Sequence, residues 1–327
     1  MNDVIIIAGP TCVGKTGASI LLARKLNTEI ISADSMQVYR HMDIGTAKPS
    51  HEQLREVRHH LIDILSPHES FSAGEFKRRA IEIIDALHKR GKIPIIVGGT
   101  GLYIRTLTRG LFDAPSADWS LRERLMELEK EKGKGVEVTV PGGEVTVGYL
   151  YGYLQRLDPL ASERINPNDL RRVIRAIEVT LKANRRITDL QLMNTKPLPY
   201  NFIKICLIRD RRELYKRIEE RVDWMIHNGL IDETKRLLSM RPTMIAMQAL
   251  GYKEMASYIN GEKTLDEAVD LLKKRTKRYA KRQITWFKKE ADMVWVDITG
   301  LIEPDDILTR MIRDVEILNG FIYSKNW

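Results

Sequence analysis

The chain has 327 residues, enough to bury a sizeable core and to make two domains. Hydrophobic residues at 43% and charged residues at 30% read as a soluble globular protein. No apolar run approaches a membrane span, and Val4–Ile7 near the start is too short for the apolar region of a signal peptide. The formal net charge is +9, and "KKRTKRYAKRQITWFKK", Lys273 to Lys289, holds nine basic residues and no acidic one. That segment matches the whole excess and reads as a footprint for a polyanion; a solvated helix face would interleave Glu or Asp. Two cysteines, Cys12 and Cys206, cannot make a disulfide framework, so a reducing, cytoplasmic setting is expected.

Val4–Ile7 reads as a buried strand, followed by the glycine-bounded loop "GPTCVGKT" at residues 9–16 and a helix over 14–26. "EIISAD" is a second strand ending at Asp34; Phe76 to His88 is helical; "KIPIIVGGTGLY" gives a third strand, a Gly-Gly turn and another helix. Strands alternating with helices predict an α/β fold, a P-loop parallel-sheet core flanked by helices. From Pro115 the pattern becomes helical, through "SLRERLMELEKEKGK", "LQRLDPLASERI" and "NDLRRVIRAIEVTLKAN". Within it "KGVEVTVPGGEVTVGYL" alternates about Pro141-Gly142-Gly143 and predicts a hairpin over 135–147. The α/β rhythm returns at "FIKICLIRD", long helices follow, and "MVWVDI" is a last short strand. Residues 1–114 and 197–327 are therefore expected to form the core, with 115–196 a mainly helical insertion domain.

The loop fits G-x-x-x-x-G-K-[ST] in the required context, strand before and helix after, and predicts a phosphate site. Gly9 and Gly14 let backbone N–H groups turn towards an anion, and the helix adds its positive end. Lys15 supplies a point charge, and the Thr16 hydroxyl is placed for a Mg²⁺ shared with the phosphates. An NTP-hydrolysing site also needs an acidic residue at the end of a neighbouring buried strand. "IPIIV" runs into Gly98-Gly99 and offers none; "IKICLI" is followed by Arg209 before Asp210. The residue that does follow a strand is Asp34, which can bind metal, hold a loop or act as a general base.

"GPTCVGKT", "ISADSMQVYR", "MDIGTAKPS", "HHLIDI", "VGGTGLY", "NDLRRVIRAIEV", "MQALGYKE" and "RYAKRQITWF" stand in the order seen in tRNA dimethylallyltransferases. From Val4 to about Phe287 the chain resembles that family, the bacterial isopentenyl-tRNA transferases. It departs at the hairpin near Pro141, at Asn166 where the family usually has His, and at Leu170 where Pro is common; these touch the shape of the insertion, not the chemistry. The resemblance implies that Gly9, Pro10, Thr11, Cys12, Val13, Gly14, Lys15 and Thr16 hold the diphosphate of dimethylallyl diphosphate, with Mg²⁺ on Thr16. The acceptor it implies is N6 of the adenosine 3′ of the anticodon. Asp34 matches the family's general base, Arg221 its diphosphate-contacting arginine, and Thr11 a threonine near the reacting centre; as an isolated feature, Arg221 can equally be a helix salt-bridge partner.

The same resemblance implies tRNA contacts from Asp34, Ser35, Met36 and Gln37, from Thr100 in the Gly-Gly-Thr-Gly turn, and from Arg122. It extends them to Arg171, Arg172 and Arg175 of the insertion, and to Gln248, Gly251, Tyr252 and Lys253. In the basic helix, Arg275, Arg278, Lys281 and Arg282 join these contacts, while helical spacing puts Lys274, Arg278 and Lys281 in an outward stripe for phosphates. Leu272, Thr276, Tyr279, Gln283 and Trp286 are expected to pack inward, although Tyr279 and Trp286 can also stack on bases. His59-His60 are expected to serve packing and hydrogen bonding, and Cys12 to be a small loop residue. The expected partners are tRNA and dimethylallyl diphosphate, acting on a monomer. The alternative is a P-loop nucleotide or small-metabolite kinase, which gives the basic helix no use. A nucleic-acid-binding module with a nucleotide sensor explains that helix but not the ordered motifs.

Overall fold

The computed structural model describes residues 2–112, 114–140, 143–194 and 196–323. They fall into two compact units, Met1–Thr108 with Pro199–Trp327, and Arg109–Leu198. In chain order the strands are β1 (Asp3–Ala8), β2 (Ile30–Ser32), β3 (His59–His60), β4 (Ile95–Gly98), β5 (Lys134–Val140), β6 (Gly143–Gly148), β7 (Asn201–Ile208) and β8 (Met293–Asp297). β5 and β6 pair with each other in the second unit; the other six make one sheet in the order β3-β2-β4-β1-β7-β8. Every pairing in that sheet is parallel, as the strand–helix alternation requires.

β1 lies inside the sheet, with Ile5 beside Ile95 and Ile203, and Ile7 beside Val97 and Ile205. Ile5, Ile6 and Ile7 are all fully buried, because a strand covered on both faces has no solvent side. Each contributes on the order of 1.5–3 kcal/mol by leaving water. Ile5 and Ile7 join a core with Ile20 of the helix Lys15–Lys25 and with Ile307 and Met311 of the helix Pro304–Asp314. The helices Ala73–Lys89 and Gly101–Thr108 meet through stacked rings, Phe76 and Tyr103, 4.3 Å apart. β3 is a strand that sequence did not predict: two residues carry no period, and its partner Ile30-Ile31 supplies the register.

The second unit packs Leu150 and Leu154 of the helix Tyr149–Leu157 against Val173 and Ile177 of the helix Leu170–Ala183. The stretch "LQRLDPLASERI", expected to be helical, is so in two pieces, Tyr149–Leu157 and Pro159–Arg164, broken at Asp158. That buried carboxylate accepts Ala161 N–H (3.0 Å), and Thr188 N–H (3.0 Å) and Oγ1–H (2.9 Å). The hairpin forms, with Val138 opposite Val145 and Val140 opposite Gly143; Pro141 and Gly142 of its expected turn lie outside the described residues. Among the described residues no helix is long and apolar enough to cross a membrane.

Candidate active site

β1 hands over to the phosphate loop at Gly9, where φ is +146° and a Cβ would stand 2.7 Å from the Leu207 carbonyl oxygen. Only glycine lets β7 approach so closely. Gly14, at φ +114°, opens the helix Lys15–Lys25 with no side-chain cap, which leaves its first N–H groups for an external acceptor. The loop's carbonyls are held from behind. Lys15 Nζ donates to Gly9 O (3.0 Å) and Pro10 O (2.8 Å), Arg217 Nε to Cys12 O (3.1 Å) and Arg209 Nε to Val13 O (2.7 Å). Gln283, inward-facing as expected, accepts Thr11 N–H (2.9 Å) and donates to Gly99 O (2.9 Å), tying the loop to the Gly-Gly turn. Burial brings Lys15 down to about 8 against the pull of the Asp34 carboxylate, and Arg221 lowers it further.

Asp34 follows β2, and its Oδ1 accepts the N–H groups of Met36 (2.8 Å) and Gln37 (3.3 Å). Burial raises its carboxyl above the ordinary range, outweighing those bonds and the Lys15 charge. Ser35 N–H donates to Thr100 Oγ1 (3.1 Å), and the Tyr279 hydroxyl is hydrogen-bonded to the same threonine. Burial and the Asp34 charge both push the Tyr279 phenol upward.

Asp34, Ser35 and Tyr279 line a cavity of about 290 Å³, and of the phosphate loop Thr11 and Cys12 reach its wall, whereas Gly9, Pro10, Val13, Gly14, Lys15 and Thr16 do not. It brings together Thr11, Cys12, Asp34, Ser35, Met36 and Arg221 of the expected site, together with Gln248 and Arg282. Arg221 has no hydrogen-bond or carboxylate partner among the described residues, so its charge faces the cavity uncompensated. One wall is apolar: Ile218, Val222 and Met225 stand at i, i+4 and i+7 on the helix Arg211–His227, and Leu272 faces them. The arrangement can bind an anion next to an apolar group, with a carboxylate of raised pKa beside both.

Several expected contacts have other work. Tyr279 and Thr276 line the cavity and are not core residues, because the helix Leu265–Phe287 turns that face to an opening. Trp286 is half-buried beneath the Arg105 guanidinium (4.2 Å), and Phe287 is the ring that is fully buried. Gln37 uses its amide on Ser32 Oγ–H (3.1 Å) and on the Thr46 and Ala47 carbonyls (3.3 Å each). Tyr252 is fully buried and donates to Glu233 Oε1 (2.6 Å). Glu233 also accepts the N–H groups of Asp43, Ile44 and Gly45, so Tyr252 supports the turn that carries Gly45 into the cavity wall. Gly251 is buried beside it and Lys253 is exposed.

The basic segment is not nine free charges. Arg275 pairs with Glu254, Lys277 with Glu219 and Lys273 with Asp223 (2.6 Å), whereas Lys274, Arg278, Lys281 and Arg282 are exposed. In the second unit Arg122 and Arg175 both converge on Glu178, which is fully buried; Arg171 and Arg172 are exposed. Burial raises the Glu178 carboxyl, but the bonds from Arg122, the Asp118 N–H and Arg175 outweigh it and hold the group below its ordinary value. The roles of Arg209 and Arg217, and the apolar wall, were not read from sequence. The spacing of Ile218, Val222 and Met225 is that of any core-facing helix, and nothing local marks an arginine whose acceptor is a carbonyl some 200 residues away.

The sequence profile of the IPP transferase family matches residues 37–290. A tRNA dimethylallyltransferase of Thermodesulfovibrio yellowstonii is 50% identical over 99% of this chain and 97% of its own length. One from Acetivibrio thermocellus is 46% identical over 91% and 92%. Among solved structures, the full-length tRNA isopentenylpyrophosphate transferase of Bacillus halodurans is 41% identical with a TM-score of 0.69, covering 99% of this chain and 98% of that one. A eukaryotic dimethylallyltransferase acting on tRNA is 30% identical with a TM-score of 0.81, covering 99% and 80%.

Proposed function

The chain belongs to the IPP transferase family, and from that premise we propose that it transfers a dimethylallyl group from dimethylallyl diphosphate to N6 of the adenosine 3′ of the anticodon in tRNA. The observation that carries this reading is the cavity, where Arg221 and the Thr11-Cys12 edge of the phosphate loop adjoin an apolar wall and the Asp34 carboxylate. The loop N–H groups, Lys15 and Arg221 receive the diphosphate, and Ile218, Val222, Met225 and Leu272 receive the five-carbon chain. As the bond between the allylic carbon and the diphosphate oxygen breaks, N6 forms a bond to that carbon and gives up a proton to Asp34. The negative charge that develops on the leaving oxygens is met by donors already in place. An adenine amine is a weak nucleophile, so a base of raised pKa close to it assists.

Mg²⁺ fits here as an ion that arrives with phosphates. Among the described residues no cluster of three or more His, Cys, Asp or Glu could hold a metal, and at its N-terminus the helix offers the Thr16 hydroxyl, while that of Ser19 is buried on the Thr16 carbonyl. A hard cation that keeps most of its waters suits such a sparse set. Thr16 would hold the ion, which would supply positive charge to the diphosphate. We assign tRNA backbone to the exposed Arg171 and Arg172 of the second unit, and to Arg278, Lys281 and Arg282 of the basic helix.

The test combines purified protein, Mg²⁺ and unmodified tRNA with dimethylallyl diphosphate in one tube and ATP in another, followed by mass spectrometry of the digested nucleosides. Adenosine carrying one added five-carbon group, with the prenyl donor only, is the expected result. ATP consumption without that product would return the loop to a kinase.

A further inference from the structure

Two helices run along the reaction cavity, and each starts from the phosphate loop. On Arg211–His227, Arg217 Nε donates to Cys12 O (3.1 Å), and Ile218, Arg221, Val222 and Met225 then line the cavity in turn. On Leu265–Phe287, Gln283 accepts Thr11 N–H (2.9 Å), and Tyr279, Thr276 and Leu272 line it in the opposite chain direction. The helices pack side by side, one leading away from the loop and the other back to it. Met225 and Leu272 are therefore the lining residues farthest from the loop on either helix. They lie about 12 Å beyond Arg217 and about 16 Å beyond Gln283 along the two axes.

The charged groups keep to the loop end. Asp34 and Arg221 both act on the Lys15 charge, and Asp34 acts on Tyr279, one helical turn from Gln283. Farther along, both helices present buried apolar side chains, Val222 and Met225 from one and Leu272 from the other. A donor with its diphosphate at the loop and its first carbon beside Asp34 lays its chain between the helices, towards Met225 and Leu272. These are 7% and 2% exposed, so the chain meets packed side chains there and not solvent. One isoprene unit fits ahead of them. A second must displace them, and overpacking a buried site is costly.

We propose that Met225 and Leu272 form a stop that measures the donor chain, admitting one five-carbon unit and excluding a second. The inference rests on the reading of the cavity as a dimethylallyl diphosphate site, and the bond changes are those of that reading: the allylic carbon leaves the diphosphate oxygen for N6, whose proton passes to Asp34. The test offers unmodified tRNA and Mg²⁺ with dimethylallyl diphosphate or its ten-carbon homologue geranyl diphosphate, and reads kcat/KM for each donor from the digested nucleosides by mass spectrometry. Wild type should use the five-carbon donor. The geranyl-to-dimethylallyl ratio should rise about 10–200-fold in Met225→Ala, the range that fit to an apolar pocket commands. Leu272→Ala opens the same end from the other helix and should raise it likewise, which serves where the first variant folds poorly. Met225→Leu, of similar volume, should keep the wild-type ratio, and Ile218→Val, at the loop end, should not raise it. An unchanged ratio in both alanine variants, or a wild type that transfers geranyl as well as dimethylallyl, would overturn the stop alone. A raised KM for tRNA with the ratio unmoved would give this wall to the adenine, and a ratio that rises equally in Ile218→Val would make the effect a general loosening; either overturns the proposal. A wild type that transfers neither group would overturn the functional reading, and the stop with it.

Discussion

Arg221 in the first unit and Arg122 with Arg175 in the second are arginines of equal sequence prominence and opposite circumstance. Arg221 lines a cavity that also holds Asp34 and forms no ion pair there among the described residues. Arg122 and Arg175 share Glu178, whose oxygens also take the Asp118 N–H. A buried carboxylate needs charged donors, so it captures whichever guanidinium is in reach. Whether an arginine is available to a ligand is thus settled by the carboxylate in its reach, 56 residues away for Arg122 and three for Arg175.

The comparison breaks or holds on three measurements. The largest effect is expected at the cavity: Asp34→Ala should lower single-turnover transfer by about 10²–10⁴-fold and leave tRNA binding largely intact. Arg221→Ala should cost about 10²–10³-fold; near-normal transfer in either variant would mean that the open charge or the raised carboxyl is not used. Next comes Glu178→Ala, expected to lower stability by about 2–3 kcal/mol in chemical denaturation. That is below the ~3–5 kcal/mol typical of a broken buried pair, because Arg122 and Arg175 are partly exposed and can turn to water. An unmoved transition would show that neither arginine is held there.

The smallest effect is in the pH profile of kcat/KM for the prenyl donor. Asp34 must be deprotonated to accept a proton, and its pKa is raised, so the acid limb should lie above that of an ordinary aspartate. Lys15 loses its charge as pH rises through about 8, so an alkaline limb should appear there. Lys15→Arg should retain charge and abolish the alkaline limb, even if the rate falls. Persistence of that limb would assign it to another group.

Much of the site was legible because its chemistry is local. The glycine spacing of residues 9–16, the strand ahead of it and the strand ending near Asp34 are short-range patterns, and the α/β core follows from them. The sheet order was not legible, since β2 and β3 carry three and two residues and take their places from partners. Tyr252 sits in a motif that reads as exposed, but Glu233, nineteen residues earlier, draws it inside. The same limit applies to the basic helix. Its nine charges look alike in sequence, and it is Glu254, Glu219 and Asp223 that set Arg275, Lys277 and Lys273 apart as neutralised.

The sheet order also sets a timetable for the ribosome. β4 and β7 flank β1, yet the whole second unit, Arg109–Leu198, is translated between them. At roughly 5–20 residues per second, the newly made β1 waits about 10–40 s for its second neighbour, about half of that after β4 has been made. The phosphate loop waits with it, for Gly9 rests against Leu207, Val13 is held by Arg209, and Thr11 by Gln283, which emerges later still. The loop that is nearly first in the sequence is therefore among the last parts of the molecule to be finished.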